Sequence, residues 1–295
     1  MFAIYHNRDL DGITSGAIIK LKYPDSKMIG YDYGEVFDID EIAGEPIIMA
    51  DVSFPMETMF RLAESSNWQL TWIDHHISAI NAYKSYIGSN QSFCTAILED
   101  GIAACEGVWK YLFKDKEMPI SVKLIGEYDT RRNSDKVHWE NEVLPLQFGL
   151  RSYCNSIESF PIEVLTNERI VSNIINEGKT ILRYQSLVDD QQCKKAAFEC
   201  EFEGYRAICL NGGTYNSDVF KSIYDESKHD LMISFQLIGK IWTVILFTTK
   251  DEVDCSLLAK NRGGGGHKKA AGFQVKNIDT VFDFLMVNDK EKIKI

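Results

Sequence analysis

Short apolar runs alternate with polar loops and amphipathic stretches through the first half of the chain. Phe2 to Tyr5 reads as a buried strand that stops at the polar segment His6 to Asp11, and Ile13 to Leu21 as the helix after it. Pro46 to Ala50 is a second strand, ending at Asp51, with a helix over Pro55 to Ala63. Leu70 to Ile73 is a third, ending at Asp74-His75-His76. Repetition of strand, polar loop and helix predicts a parallel sheet with covering helices. Ligands of such sheets bind beyond the carboxyl ends of the strands, where these polar residues lie. Ala96 to Phe113 and Ile120 to Ile125 read as helices, the second leading into Gly126-Glu127-Tyr128-Asp129-Thr130.

The pattern changes later. Glu163 to Ala197 has helical composition with Gly178 as its one breaker. Tyr205 to Asn211, Leu231 to Ile238 and Ile241 to Thr248 read as strands, the last two forming a hairpin around Gly239-Lys240. Val253 to Ala259 opens a helix or turn before the glycine run Gly263 to Gly266, and Lys290 to Ile295 closes the chain as a charged tail. The fold class expected is α/β. A parallel-sheet domain would occupy 1–160, a helical connector 161–197, and a smaller α/β domain 198–295.

Composition adds constraints on partners. Of 295 residues, 45% are hydrophobic and 25% charged, as in packed globular proteins. The formal net charge of −11 argues against a protein that grips long duplex DNA through its backbone. A phosphate-bearing substrate stays open, because a bound divalent cation reverses the field locally. The seven cysteines include no C-x-x-C pair, which removes zinc-ribbon and thioredoxin-type readings and suggests thiols in a reducing cytosol. The first residues are too short and polar for a signal peptide, and no apolar run approaches the ~20 residues of a membrane span. A cytoplasmic protein without a membrane partner is expected.

The candidate chemistry lies in four places: His6-x-x-Asp9-x-Asp11-Gly12, Asp51, Asp74-His75-His76 and Asp129. Carboxylate and imidazole donors suit Mn²⁺, Mg²⁺ or Fe²⁺ rather than a thiolate-bound metal. In an extended loop Asp9 and Asp11 would share a face and serve neighbouring ions, with Gly12 allowing a tight turn beneath them. Taken singly, Asp51 reads as a helix cap before the Pro55 helix, and Asp129 as a partner for Arg131 or Arg132. Their joint placement after strands and helices that end on one edge favours a shared site. So much negative charge in one place repels itself without cations.

These motifs, in this order, resemble the DHH phosphoesterase superfamily. Gly263 to Phe273, reading GGGGHKKAAGF, is similar to the GGGH-x-x-AAG signature of the companion DHHA1 domain. The resemblance spans nearly the whole chain and is strongest to short-oligonucleotide nucleases and 3′-phosphoadenosine 5′-phosphate phosphatases. It implies two divalent ions, Mn²⁺ foremost, with His6 and Asp9 on one, Asp11, His75 and Asp129 on the other, and Asp51 between them. Asp74 would orient its neighbours, and His76 would contact the scissile phosphate or protonate the leaving oxygen. The first motif has two residues between His6 and Asp9, where several relatives have three. In the second domain Gly264, Gly265, Gly266 and His267 would grip phosphate through successive backbone N–H groups, with Arg262 either assisting or solvated. Relatives often carry an arginine near Phe247 to Thr249; this chain has Thr248, Thr249 and Lys250 there.

The implied reaction is hydrolysis of short oligonucleotides to nucleoside monophosphates. A 3′-phosphoadenosine 5′-phosphate phosphatase, a cyclic-dinucleotide phosphodiesterase and a nucleotide-sequestering protein are the alternatives, with inorganic pyrophosphatase disfavoured by the C-terminal signature. Tyr128, Trp139 and Phe148 are aromatic residues that either stack on a base or pack in the core. A homodimer stays open as the assembly.

Overall fold

The computed structural model describes residues 1–277 apart from 43, 133–134 and 214–215. The charged close expected at Lys290 to Ile295, like the rest of the expected second domain beyond 277, lies outside the described residues. The chain divides into two compact units, Met1–Leu182 and Arg183–Ile295.

The first unit is built on five parallel strands: β1 (Phe2–His6), β2 (Lys27–Tyr31), β3 (Ile47–Ala50), β4 (Leu70–Asp74) and β5 (Thr95–Leu98), in the order β2-β1-β3-β4-β5. Between and after them run α1 (Leu10–Lys22), α2 (Met56–Ser65), α3 (Ile77–Ile87), α4 (Ala104–Leu112), α5 (Ile120–Thr130), the single turn α6 (Lys136–His138) and α7 (Leu144–Tyr153). A π-helical turn, Trp139–Val143, joins α6 to α7. The central strands are apolar throughout because both sheet faces are covered. Ala3, Ile48, Ala50 and Ile73 pack with the side chains of α1, α4, α5 and α7 on one face. Phe2, Ile4, Ile47, Met49, Leu70 and Trp72 pack with those of α2 and α3 on the other. Alternation of side chains along each strand assigns the residues to these two cores. The strand order reverses at β1, so the carboxyl ends of β1 and β3 flank the crevice where such sheets bind ligands.

The connector expected over 161–197 is mostly one 29-residue helix, α8 (Glu168–Ala196). Its first half belongs to the first unit, where Val171 and Ile174 enter the core. Gly178 lies so close to α7 that a Cβ there would stand 1.8 Å from the Pro145 carbonyl oxygen. Among the described residues the second unit is a six-stranded mixed sheet, with β6 (Ala197–Phe202), β7 (Tyr205–Asn211), β8 (Leu231–Ile238), β9 (Ile241–Phe247), β10 (Gly265–His267) and β11 (Ala270–Val275) in the order β10-β11-β9-β8-β7-β6. Its helix α9 (Cys255–Lys260) is capped by Asp254, whose carboxylate accepts from the Ser256 and Leu257 N–H groups. The β8–β9 hairpin turns at Gly239, where φ is +62°.

Several elements differ from the expectation. Ala96 to Phe113 is not one helix: β5 ends at Leu98, Gly101 turns the chain at φ +86°, and α4 follows. An uninterrupted apolar run does not separate an edge strand from the helix after it. β2, β6, β10 and β11 also escape the sequence pattern. Helix α1 begins three residues earlier than expected, at Leu10, so Asp11 sits in its first turn. All seven cysteines are free and six are buried, and no helix among the described residues is long and apolar enough to cross a membrane.

Candidate metal centre

Each motif is delivered by the end of a core element. His6 ends β1, and Asp9 is the N-cap of α1, its Oδ1 accepting from the Gly12 N–H at 2.9 Å. Gly12 is required here by close approach: a Cβ would stand 2.1 Å from the His6 carbonyl oxygen. The loop is therefore not the extended one expected. A cap at Asp9 and a helical Asp11 bring the two carboxylates to the site from different directions.

Asp11 is 2% exposed, and its two oxygens accept from the Ala104 and Cys105 N–H groups at 2.9 and 2.7 Å. It thus binds the N-terminus of α4 while its Oδ2 lies 3.5 Å from His75 Nε2. Asp51 follows β3 with φ at +59°, a left-handed conformation costly for a non-glycine residue. It caps no helix, since α2 begins at Met56 behind Pro55. Its Oδ2 lies 3.5 Å from His6 Nδ1 and its Oδ1 3.3 Å from His75 Nε2, so one buried carboxylate faces both histidines. Asp129 lies in the last turn of α5 rather than a strand-end loop, with Oδ2 3.3 Å from His75 Nε2. Neither neighbouring arginine pairs with it: Arg132 forms two short bonds to Glu106, at 2.6 and 2.8 Å.

Asp74 Oδ1 accepts from the backbone N–H groups of His75 and His76 at 2.7 and 3.1 Å, and lies 2.8 Å from His76 Nδ1. Its carboxylate therefore fixes the His76 ring. The His76 side chain is 44% exposed and the His75 side chain 14%, which separates an outward imidazole from an inward one. Two neighbours had no sequence signal because β2 was not legible: Asp32, whose Oδ1 is 3.7 Å from His6 Nε2, and Tyr33, whose ring centroid is 5.7 Å from that of His6.

Electrostatics follow from this crowding. Burial opposes charge on His6, but the carboxylates of Asp51 and Asp9 overcome it and push its pKa up to about 10. Burial likewise opposes charge on His75, and Asp51, Asp11 and Asp129 push it up to about 9. The bond to Asp74 outweighs burial at His76 and raises it to about 9. Burial and the nearby Asp51 charge raise Asp129 to about 6, despite His75, and burial with Asp51 and Asp129 raises Asp11 well above the carboxylate range. Asp9 is lowered, since contact with His6 and the Gly12 N–H outweighs its burial.

Three groups bring ligand atoms within 4.8 Å of one another: His6, Asp9 and Asp51; Asp11, His75 and Asp129; and Asp51, His75 and His76. The buried atoms His6 Nδ1, Asp51 Oδ1 and Asp74 Oδ2 have no hydrogen-bond partner. Buried polar atoms normally have one. Two of these orphans fall on the donor set, and oxygen with imidazole nitrogen is the chemistry of hard-to-borderline divalent cations. The residues present fit such ions.

The residues expected to grip phosphate in the second unit have partly different duties. The Gly264 N–H donates to the Ala259 carbonyl at 2.9 Å, closing α9, so the run of free N–H groups does not include it. Gly265, Gly266 and His267 form β10 against β11 and are exposed, with Gly266 at φ +139°. Arg262 is neither free nor simply solvated: its guanidinium donates to Glu203 Oε1 at 2.7 Å. Tyr128 and Trp139 lie against each other, with ring centroids 5.6 Å apart and planes 12° apart.

No protein-family model matches the chain. It is 25% identical over 263 residues to an uncharacterised protein of Acanthamoeba polyphaga mimivirus, covering 85% of this chain and 58% of that protein. It is 22% identical over 307 residues to the oligoribonuclease NrnB of Bacillus subtilis (strain 168), covering 97% of this chain and 75% of NrnB. Among solved structures, the pGpG-specific phosphodiesterase PggH from Vibrio cholerae matches with a TM-score of 0.56 at 12% identity, covering 96% of this chain and 94% of that one. The DHH domain of a protein described as a member of a family of ribosomal proteins matches with a TM-score of 0.62 at 12% identity, covering 96% and 84%. The chain therefore shares its fold with these two structures, one of which is a DHH domain.

Proposed function

We propose that this protein is a divalent-metal-dependent phosphodiesterase that hydrolyses short oligonucleotides to nucleoside monophosphates. The observation that carries the reading is the Asp51 carboxylate, buried in a strained backbone, with one oxygen toward His6 and the other toward His75. His6, Asp9 and Asp51 would hold one ion, and Asp11, His75, Asp129 and Asp51 the second. Mn²⁺ suits this donor set, and Mg²⁺ or Fe²⁺ are the alternatives. Ions in such a pair lower the pKa of bound water from ~15.7 towards ~7 and offset the charge of a phosphate.

The protein's own groups do the rest. Asp74 takes His76 Nδ1, which leaves Nε2 on an exposed ring as the proton donor. The bond to Asp74 favours the protonated form of that imidazole, which would pass a proton to the departing sugar oxygen. Asp11, tied to the α4 N-terminus by both oxygens, keeps α1 and α4 in register beneath the site. In the second unit Gly265, Gly266 and His267 would supply phosphate contacts of their own from an exposed strand.

The names of the relatives support a small substrate: one is an oligoribonuclease and one a phosphodiesterase specific for pGpG. Product analysis with Mn²⁺ tests the reading, using pApA, a 5-mer RNA, a 24-mer RNA, 3′-phosphoadenosine 5′-phosphate and cyclic di-AMP, with Asp51→Asn as the control. Monophosphate release from the short RNAs, lost in the control, is the expected result. Inorganic phosphate from the bisphosphate alone would reassign the protein as a phosphatase. Tight binding with no turnover of any substrate would reassign it as a sequestering protein.

A further inference from the structure

The first unit carries a pair of exposed arginines that the metal centre does not use. Arg131, two residues beyond Asp129, lies with its guanidinium carbon 5.1 Å from the ring centroids of both Tyr128 and Trp139. Arg151, from α7, lies 5.5 Å from the Tyr128 centroid. Both arginines are exposed, and among the described residues neither has a carboxylate within ion-pair distance. Arg132, beside them, contrasts sharply, since Glu106 takes its guanidinium. In a chain of net charge −11, two exposed guanidiniums that both lie against the Tyr128 ring suit an anionic ligand.

The backbone points the same way. Arg131 is the C-cap of α5 at φ 52° and ψ 27°, a position where glycine is the residue of least strain. The aromatic floor is equally unusual, because Trp139 opens the π-helical turn, a geometry that recurs at functional sites. Cation–π attraction holds each guanidinium against a ring, and its fork of N–H donors takes no carboxylate among the described residues. That fork matches two oxygens of a phosphate, and it is already ordered before the ligand arrives.

We propose that Arg131 and Arg151, on the Tyr128–Trp139 floor, form a receptor for a second, non-scissile phosphate of the substrate. Resting on the hydrolase reading above, this makes the first unit itself select phosphorylated ends next to the bond that is cut. An alternative is that the arginines merely tie α5 to α7, in which case they matter for stability and not for substrate choice.

The test compares pApA with ApA, which lacks the 5′-phosphate, in the wild type, Arg131→Gly, Arg131→Lys and Arg151→Ala. The wild type is expected to favour pApA in kcat/KM. Arg131→Gly and Arg151→Ala should each cut the pApA/ApA ratio at least tenfold, chiefly through KM for pApA. Arg131→Lys should recover part of it, keeping the charge without the fork. Because glycine suits the left-handed backbone, the melting temperature of Arg131→Gly should stay at or above that of the wild type. A ratio unchanged in both variants overturns the receptor. If the wild type cleaves neither dinucleotide, the hydrolase reading falls instead. Equilibrium binding of pApA against ApA by the same proteins then decides the receptor: equal loss of both ligands, or no loss, overturns it.

Discussion

Loading the centre with Mn²⁺ should expel at least about two protons at pH 7, one from a histidine at each ion, with Asp11, raised well above the carboxylate range, adding to the count. In the metal-free protein His6, with a pKa of about 10, and His75, with a pKa of about 9, both carry a proton at that pH. An imidazole must be neutral to ligate, so each gives its proton up when a cation arrives. Asp129, at about 6, adds roughly a tenth of a proton at pH 7 and half of one at pH 6. The affinity of each ion should therefore rise about tenfold per pH unit between pH 6 and 8. Isothermal titration in PIPES and in Tris at one pH reads the number directly, from the difference in buffer ionisation heat. His6→Gln should lower the count by about one while leaving the second ion's proton in place. Release of fewer than about half a proton in total would refute the reasoning: either the histidines are neutral beside those carboxylates, or they are not ligands.

The same groups govern the metal-free protein. The raised pKa values of His6, His75 and His76 contribute stability that is present below pH ~6.5 and lost as pH rises through 9 to 10, so the apo melting temperature should fall across that window. Asp51→Asn should cost at least about a hundredfold in kcat and move the alkaline fall of the apo melting temperature to lower pH, because His6 and His75 lose the carboxylate they share. Arg132→Ala leaves the buried Glu106 carboxylate with the Ala103 N–H but no cation and should destabilise by about 1–3 kcal/mol in urea unfolding, the arginine being partly exposed. Gly178→Ala drives a Cβ against the Pro145 carbonyl and should cost at least about 2 kcal/mol, seen as a lower urea midpoint.

Much of the first unit was legible because its sheet is covered on both faces. β1, β3 and β4 had to be apolar throughout, and the polar residues that end them stand out for that reason. The edge strands were not legible. β2 is half-exposed and mixes Lys27 with Gly30, and β5 runs without a break in hydrophobicity toward α4. In the second unit β10 is three exposed residues, two of them glycines, so it has no periodic pattern to read. The nest expected along the glycine run failed at Gly264 for a local reason: the end of α9 needed its N–H.

By itself the sequence determined which residue types could meet: carboxylates and imidazoles placed just after buried strands or in helical turns, too many to coexist without cations. It also set the sheet class, since the spacing of apolar runs leaves little choice. Only the tertiary structure decided how those groups share the work. Asp51 faces both histidines because a left-handed backbone turns it inward, and no propensity announces that. Asp11 acquires a second duty at α4 over a separation of 93 residues, and Arg131 comes to rest on Trp139 because α5 and the π-helical turn pack together. Such roles depend on distances between elements far apart in the chain. Local sequence fixes the elements, and packing fixes those distances.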